Sequence, residues 1–255
     1  MLRGLLVSFQ PESLLFIGGE PTLYTEKINT ILEGNVVSPS TAVVITTNGH
    51  FAVSRGAAVS AIKKFRRLDH VQLSYDNYHK EFISLDNVSN LRKACEDLGV
   101  HFGVLISVKS PLDLVLLKDL KAAGVKDSQV RIQGVHLIGA AAVNGIGYDY
   151  PSFNEQVLSR KCESIGNMVY LCGEGFTSCC SHLAFEEENR SYIHPTIEDH
   201  IASKFHGLVM KHTFGELLEL AGLSKADLVP AHSYICALCA HIFKGLQKNR
   251  PDLLG

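Results

Sequence analysis

Two groups of residues in this sequence carry recognisable chemistry. The first is a set of thiols: the chain has seven cysteines in 255 residues, and Cys236 and Cys239 form a Cys-x2-Cys pair. That spacing lets two thiolates converge on one centre, which suits zinc or an iron–sulfur cluster. Upstream, Cys162 and Cys180 frame Gly175, with twelve residues before it and four after it, and Cys172 and Cys179 fall inside the span. Cys95 stands apart at a helical core spacing and reads as a small buried hydrophobe. The second group is Gly18-Gly19-Glu20-Pro21-Thr22. Its glycines permit positive φ and close backbone approach to a ligand. Glu20 is an acceptor-only carboxylate suited to an ammonium group. It fits equally well in a tight turn, where it complements the dipole of the helix that Pro21 opens.

The elements that must position these groups follow from periodicity. Leu14–Ile17, Thr41–Thr47, His70–Tyr75, His101–Val108 and Gln129–Gln133 read as five strands. Between them run helical patterns: about Thr22 to Glu33, one carrying Ala58, Ala61, Ile62, Phe65 and Leu68 on its apolar face, one with Val88, Leu91, Cys95 and Leu98, and Leu112 to Ala123. Alternation of this kind predicts an α/β fold of parallel strands joined by right-handed crossovers, with the site at the strands' carboxyl ends. Three successive strand ends carry polar groups there: Glu20, then Thr47 and Asn48, then Ser74 and Asp76. Asn48-Gly49 alone fits a turn and Asp76 alone fits a cap; the three together favour a site. His79 reads as a hydrogen-bonded loop histidine.

The pattern changes after Gly134, and Pro151 opens a region with six of the seven cysteines, an acidic run 186–188, and helical patterns near Ile197–Met210 and Phe214–Ala221. The domain boundary is therefore expected near residue 150, giving domains 1–150 and 151–255. With 24 basic against 26 acidic residues the net charge is −2, and a nucleic-acid backbone is excluded as a main partner. The longest stretch free of charge, Gly34 to Ser54, is broken by Pro39 and polar residues and cannot span a membrane. No convincing secretory cleavage site opens the sequence, so a cytoplasmic location is expected and the thiols argue for metal or redox use.

Leu-Leu-Phe-Ile-Gly-Gly-Glu-Pro-Thr-Leu (14–23), Ile-Thr-Thr-Asn-Gly (45–49) and Gln-Leu-Ser-Tyr-Asp-Asn-Tyr-His (72–79), in this order, resemble the radical S-adenosylmethionine (SAM) superfamily. The resemblance covers roughly residues 10 to 135. It implies a partial (β/α)6 barrel lacking its first βα unit. By matching position, Gly18, Gly19 and Glu20 hold the methionyl amino group of SAM, with Ser74 and Asp76 near its carboxylate or ribose. Pro21 and Asn48 complete the expected SAM-binding set. Cys-x12-Gly-x4-Cys followed by Cys-x2-Cys resembles the SPASM and shorter twitch auxiliary domains of that superfamily. The resemblance implies a small C-terminal α+β domain in which a β-hairpin, Met168–Leu171 against Gly175–Ser178, brings the first cysteines together. Cys162, Cys180, Cys236 and Cys239 then hold one auxiliary [4Fe–4S] cluster, with the register between Cys179 and Cys180 open.

The implied activity is hydrogen abstraction by a 5′-deoxyadenosyl radical, on a peptide or protein substrate, with a flavodoxin or ferredoxin as electron donor. The sequence departs from the family in one respect: it contains no Cys-x3-Cys-x2-Cys to hold the catalytic cluster. Leu2 to Gln10 resembles the tail of the helix that follows that motif, so the reading frame is expected to be truncated or split, and a pseudo-enzyme is the competing account. The catalytic [4Fe–4S] cluster is expected only if the missing segment exists, and the chain alone is expected to be inactive. The alternative function is a non-catalytic binding protein stabilised by a four-cysteine zinc or iron–sulfur site.

Overall fold

Short β-branched runs and capped helices alternate through the first half of the chain. The computed structural model describes residues 2–164, 166–185 and 191–254; the acidic run 186–188 lies outside them. The chain divides into two compact units, one ending at Val135 and the other beginning at His136.

In the first unit α1 (Leu2–Phe9) precedes β1 (Ser13–Phe16), α2 (Thr25–Leu32), β2 (Ala42–Thr47), α3 (Arg55–Ile62), β3 (His70–Ser74), α4 (Leu85–Leu98), β4 (His101–Val108), α5 (Leu116–Ala122) and β5 (Val130–Gly134). All five strands pair in parallel in the order β1-β2-β3-β4-β5, which is the expected α/β arrangement. Sequential order with right-handed crossovers places the connecting helices on one face of the sheet. That face is the core: Val43, Ile45, Val71, Leu73 and Ile106 are completely buried, as are Leu91 and Cys95 of α4 and Leu116 of α5. Burial without a charged neighbour pushes the Cys95 thiol up to about 12, as befits a packing residue.

Local chemistry sets the helix limits. Ser54 caps α3, Ser84 and Asn87 close a capping box on α4, and Gly99 ends α4 at φ 66°. The helical pattern expected to continue to Leu68 stops at Ile62. There the Asn29 side chain takes over the backbone, donating to the Lys64 carbonyl at 2.7 Å and accepting the Arg66 amide at 2.8 Å. Phe65 still reaches the core, but from irregular chain.

The second unit contains α6 (Ala140–Val143), the antiparallel hairpin β6 (Val169–Leu171) and β7 (Gly175–Thr177), α7 (His182–Phe185), α8 (Ile197–Ala202), α9 (Lys204–Lys211), α10 (Phe214–Leu220) and α11 (Ile235–Asn249). The boundary falls before residue 150 because His136 already belongs here: its ring stacks on Tyr234 at 3.8 Å. Phe205, Phe214, Leu217, Leu238, Ile242 and Phe243 lead a separate core. The single helical stretch expected from Ile197 to Met210 is two helices. Ser203 closes α8 by donating its amide to the His200 carbonyl and opens α9 by accepting the His206 amide.

Gly175 fixes the hairpin against the following segment. Phe176 exchanges both backbone hydrogen bonds with His194, at 2.7 and 2.9 Å. A Cβ at Gly175 would run into the His194 carbonyl oxygen, and its φ of 141° is one that side chains rarely adopt. Gly175→Ala is therefore expected to lower the stability of this unit by about 2 kcal/mol or more, read by urea unfolding, whereas Gly166→Ala, where a Cβ meets nothing, leaves it nearly unchanged.

Candidate functional site

The first candidate site is the row of loops at the carboxyl ends of β1, β2 and β3. Gly18 and Gly19 take φ values of 89° and 53°, conformations that turn the chain sharply out of β1 and into Glu20. The Glu20 carboxylate is pinned on both sides. Its Oε1 accepts from the Thr22 amide at 3.2 Å and from the Thr22 and Thr47 hydroxyls at 2.8 Å each, while Oε2 accepts from the Asn48 amide at 3.0 Å. Glu20 thus caps the turn starting at Pro21 and also ties the end of β1 to the end of β2. A carboxylate offers about four lone-pair directions, so Oε2 retains capacity for a further donor.

Asn48 is exposed, and its Oδ1 accepts the His50 amide at 3.0 Å. Ser74 is the last residue of β3 and is half-buried. Asp76 is 3% exposed and organises its own loop. Its Oδ1 accepts the Tyr78 amide, the His79 amide and the His79 Nδ1–H, all between 2.9 and 3.0 Å. Burial opposes its ionisation, but the hydrogen bonds and charge of His79 prevail and hold the carboxyl below its ordinary value. Asn77 extends the rim by donating to Asp113 in the loop after β4.

The face of the sheet opposite the helices adds what strand periodicity contained but motif reading passed over. Parallel strands covered on both sides are apolar throughout. Here the alternate positions are mixed: Val44 and Leu105 are half-buried aliphatics, while Thr46, Gln72, Ser74, Ser107 and Gln133 are polar and half-buried. Thr46 donates to Gln72 at 3.1 Å and Gln133 to Ser107 at 3.2 Å. The polar residues at i, i+2 in these strands were the available signal.

The second candidate site is a thiol cluster in the second unit. Cys162 precedes the hairpin, Cys179 and Cys180 follow β7, and Cys236 and Cys239 lie on the first turns of α11. All are free thiols. Burial raises Cys162, and the charge of Cys180 adds to it. Burial pushes Cys179 up to about 11, with Cys236 and Cys180 contributing. Cys239, half-buried, is raised well above its ordinary value by burial and then by Cys179, Cys162 and Cys236. Cys236 is also raised by burial, against hydrogen bonds from the Tyr234 and Ser181 hydroxyls. Cys162 is thus within electrostatic reach of Cys180, Cys236 and Cys239, Cys236 of Cys180 and Cys239, and Cys179 of Cys180, Cys236 and Cys239. Cys180 is exposed at the edge of this cluster, and Cys172 sits exposed at the hairpin turn. Among the described residues no group of three or more His, Cys, Asp or Glu side chains stands in metal-holding geometry. The donor chemistry nonetheless fits a soft metal centre: the mutual repulsion and desolvation that disfavour free thiolates are what a bound cation offsets.

Histidines surround this unit's core. His200 is fully buried, and its Nε2 accepts the Ser178 amide at 2.9 Å. That fixes the proton on Nδ1, which donates to His194 Nδ1 at 3.2 Å. Ser178 Oγ lies 3.1 Å from His200 Nε2, but at 2% exposure this serine is a packing group and not an accessible nucleophile.

No protein-family model matches the chain, and no curated protein matches it significantly. Among the described residues no helix is long and apolar enough to cross a membrane.

Burial, assisted by neighbouring histidines, lowers both His200 and His136 to about 4. Above about pH 6.5 both the folded and unfolded chains hold these imidazoles neutral, and their stabilisation is complete. As pH falls from there toward about 4, the unfolded chain takes up protons that the folded one refuses, and stability declines. Urea unfolding of the metal-free protein across this window is expected to show the second unit losing on the order of 1–3 kcal/mol through His200. His200→Gln should flatten the slope.

Proposed function

We propose that this chain is a radical-SAM-type protein serving peptide or protein modification by hydrogen abstraction. In this reading the first unit is a partial (β/α)6-type barrel that binds SAM, and the second is a twitch- or SPASM-like domain that holds one auxiliary [4Fe–4S] cluster. The observation that carries the reading is the gathering of Cys162, Cys180, Cys236 and Cys239, separated in sequence, in a chain that also places Gly18-Gly19-Glu20 at the end of a parallel strand.

The roles of this chain's residues follow from their partners. Thr22, Thr47 and the Asn48 amide fix Glu20 so that Oε2 meets an ammonium donor without reorganisation. Gly18 and Gly19 keep side chains away from the ligand's path, and the polar sheet face supplies Ser74 and Ser107 to orient polar groups. In the second unit Tyr234 and Ser181 orient Cys236, His136 stacks behind Tyr234, and the core led by Leu238 and Phe243 packs against Cys162, Cys179 and Cys239. A cluster held there supplies a low-potential iron–sulfur centre. The sequence offers no Cys-x3-Cys-x2-Cys, so radical generation requires ligands beyond those it contains, and the chain on its own is expected to be inactive.

Anaerobic purification with iron and sulfide reconstitution tests the second unit. About four irons and four sulfides per chain are expected, lost in Cys236→Ser and Cys239→Ser. One zinc with no iron would sink the iron–sulfur reading and favour a zinc-stapled binding protein. For the first unit, calorimetric titration with SAM is expected to show weak binding that Glu20→Gln weakens by about tenfold. Equal binding by both proteins removes Glu20 as the ammonium partner.

A further inference from the structure

At the amino ends of β3, β4 and β5, on the polar face of the sheet, lies a cavity of about 400 Å³ lined by His70, Gln72, His101, Gly103, Gln129 and Arg131, with Ser128 beside them. It belongs to neither site above: the expected SAM-binding groups sit at the opposite, carboxyl ends of the strands. Strand register creates it. His70 pairs with His101, Gln72 with Gly103 and Leu105 with Arg131, so two imidazoles and a guanidinium from three strands share one face. Gly103 opens the floor, since a Cβ there would meet His70 Nε2 at 2.9 Å and the Gln129 carbonyl at 3.4 Å.

The charge balance is one-sided. No Asp or Glu lines the cavity. The carboxylates next to it in sequence are engaged elsewhere: Asp69 accepts the Val43 amide and pairs with Arg67, and Asp127 pairs with Lys121 at 3.2 Å. Among the described residues His70 Nε2 is buried with no hydrogen-bond partner, a costly condition for a ring nitrogen. Gln129 cannot supply one, since its Oε1 accepts the Lys126 amide and its Nε2 donates to the Phe102 carbonyl. Two histidines alone could attract a divalent cation, but Arg131 in the same cavity opposes it.

We propose that this cavity binds a small oxyanion, a carboxylate or a phosphate group, clasped by the Arg131 guanidinium and by His70 Nε2–H with His101 alongside. The guanidinium presents paired donors that match either group's oxygens. The bound anion balances charge that no protein carboxylate balances, and a turn of the His70 ring out from beside Gly103 gives its buried Nε2 the acceptor it lacks. Gly103 and the uncharged Gln72 leave the floor open for the rest of the molecule.

Titration of the full chain with inorganic phosphate and, separately, with succinate tests this, with calorimetry for affinity and histidine ¹H–¹⁵N NMR for site. At least one anion is expected to bind saturably at one site, shift the His70 ring signals, and raise the His70 pKa. Arg131→Gln should weaken binding by about tenfold or more. Arg131 is exposed, so the substitution leaves the fold intact, which thermal unfolding verifies. Arg66→Gln, which removes a surface partner of Glu33 outside the cavity, should bind as the parent does. Phosphate binding alone assigns a phosphorylated ligand, succinate binding alone a carboxylate ligand, and binding of both the shared chemistry. No saturable binding of either anion, or binding that Arg131→Gln leaves unchanged, overturns the proposal.

Discussion

The parallel pairing of five strands in chain order is the constraint on which the first unit rests. Each crossover must return over the same side, so one face is sealed by helices and the other is left for something else. Sealing explains why Val43, Ile45, Val71, Leu73 and Ile106 have no exposure at all. What is left explains the rest: Thr46, Gln72, Ser74, Ser107 and Gln133 alternate with them and stay half-buried. A sheet that only needed a core would place aliphatic residues at these positions. Both ends of this polar face are furnished, with the Glu20 rim at the carboxyl ends and the His70–Arg131 cavity at the amino ends.

The second unit obeys a different constraint, the crowding of thiols in an apolar setting. Desolvation and like charge both favour the protonated form of Cys162, Cys179, Cys236 and Cys239, so these four gain nothing electrostatically from proximity while they are free. Hydrophobic packing alone would be served as well by Ala, Val or Leu at these positions. The hydroxyls of Tyr234 and Ser181 directed at Cys236 point the same way, because donors to sulfur stabilise the thiolate and not the thiol.

The strands were legible because β-branched runs bounded by turn residues leave few alternatives, and all five lie within two residues of their expected limits. The hairpin around Gly175 was implied by the resemblance and not by periodicity, and it forms over Val169–Leu171 and Gly175–Thr177. The limits of α3 and the break between α8 and α9 were not legible, because side chains distant in sequence or serving two helices at once decide them. Asn29 captures the backbone of Lys64 and Arg66, and Ser203 closes one helix while opening the next. Neither effect has a periodic signature. The compact units part between Val135 and His136, and the ring of His136 finds its partner in Tyr234, nearly a hundred residues later.

Site legibility divides along the same line. Gly18-Gly19-Glu20 announces itself, since two positive-φ glycines and a carboxylate at a strand end form a local pattern. Sequence cannot show that Thr47 from the next strand holds the same carboxylate, and this changes the chemistry of Glu20. A free carboxylate would need to shed water and choose a rotamer to meet an ammonium group; one held by Thr22, Thr47 and the Asn48 amide has already done so. The same bonds make Glu20 structural, so replacing it removes a tie between β1 and β2 as well as a ligand. Gln retains one carbonyl oxygen to accept from the threonines but gives up the charge and the acceptor for the Asn48 amide, so it removes the ammonium partner while disturbing the tie between β1 and β2 less than Ala does.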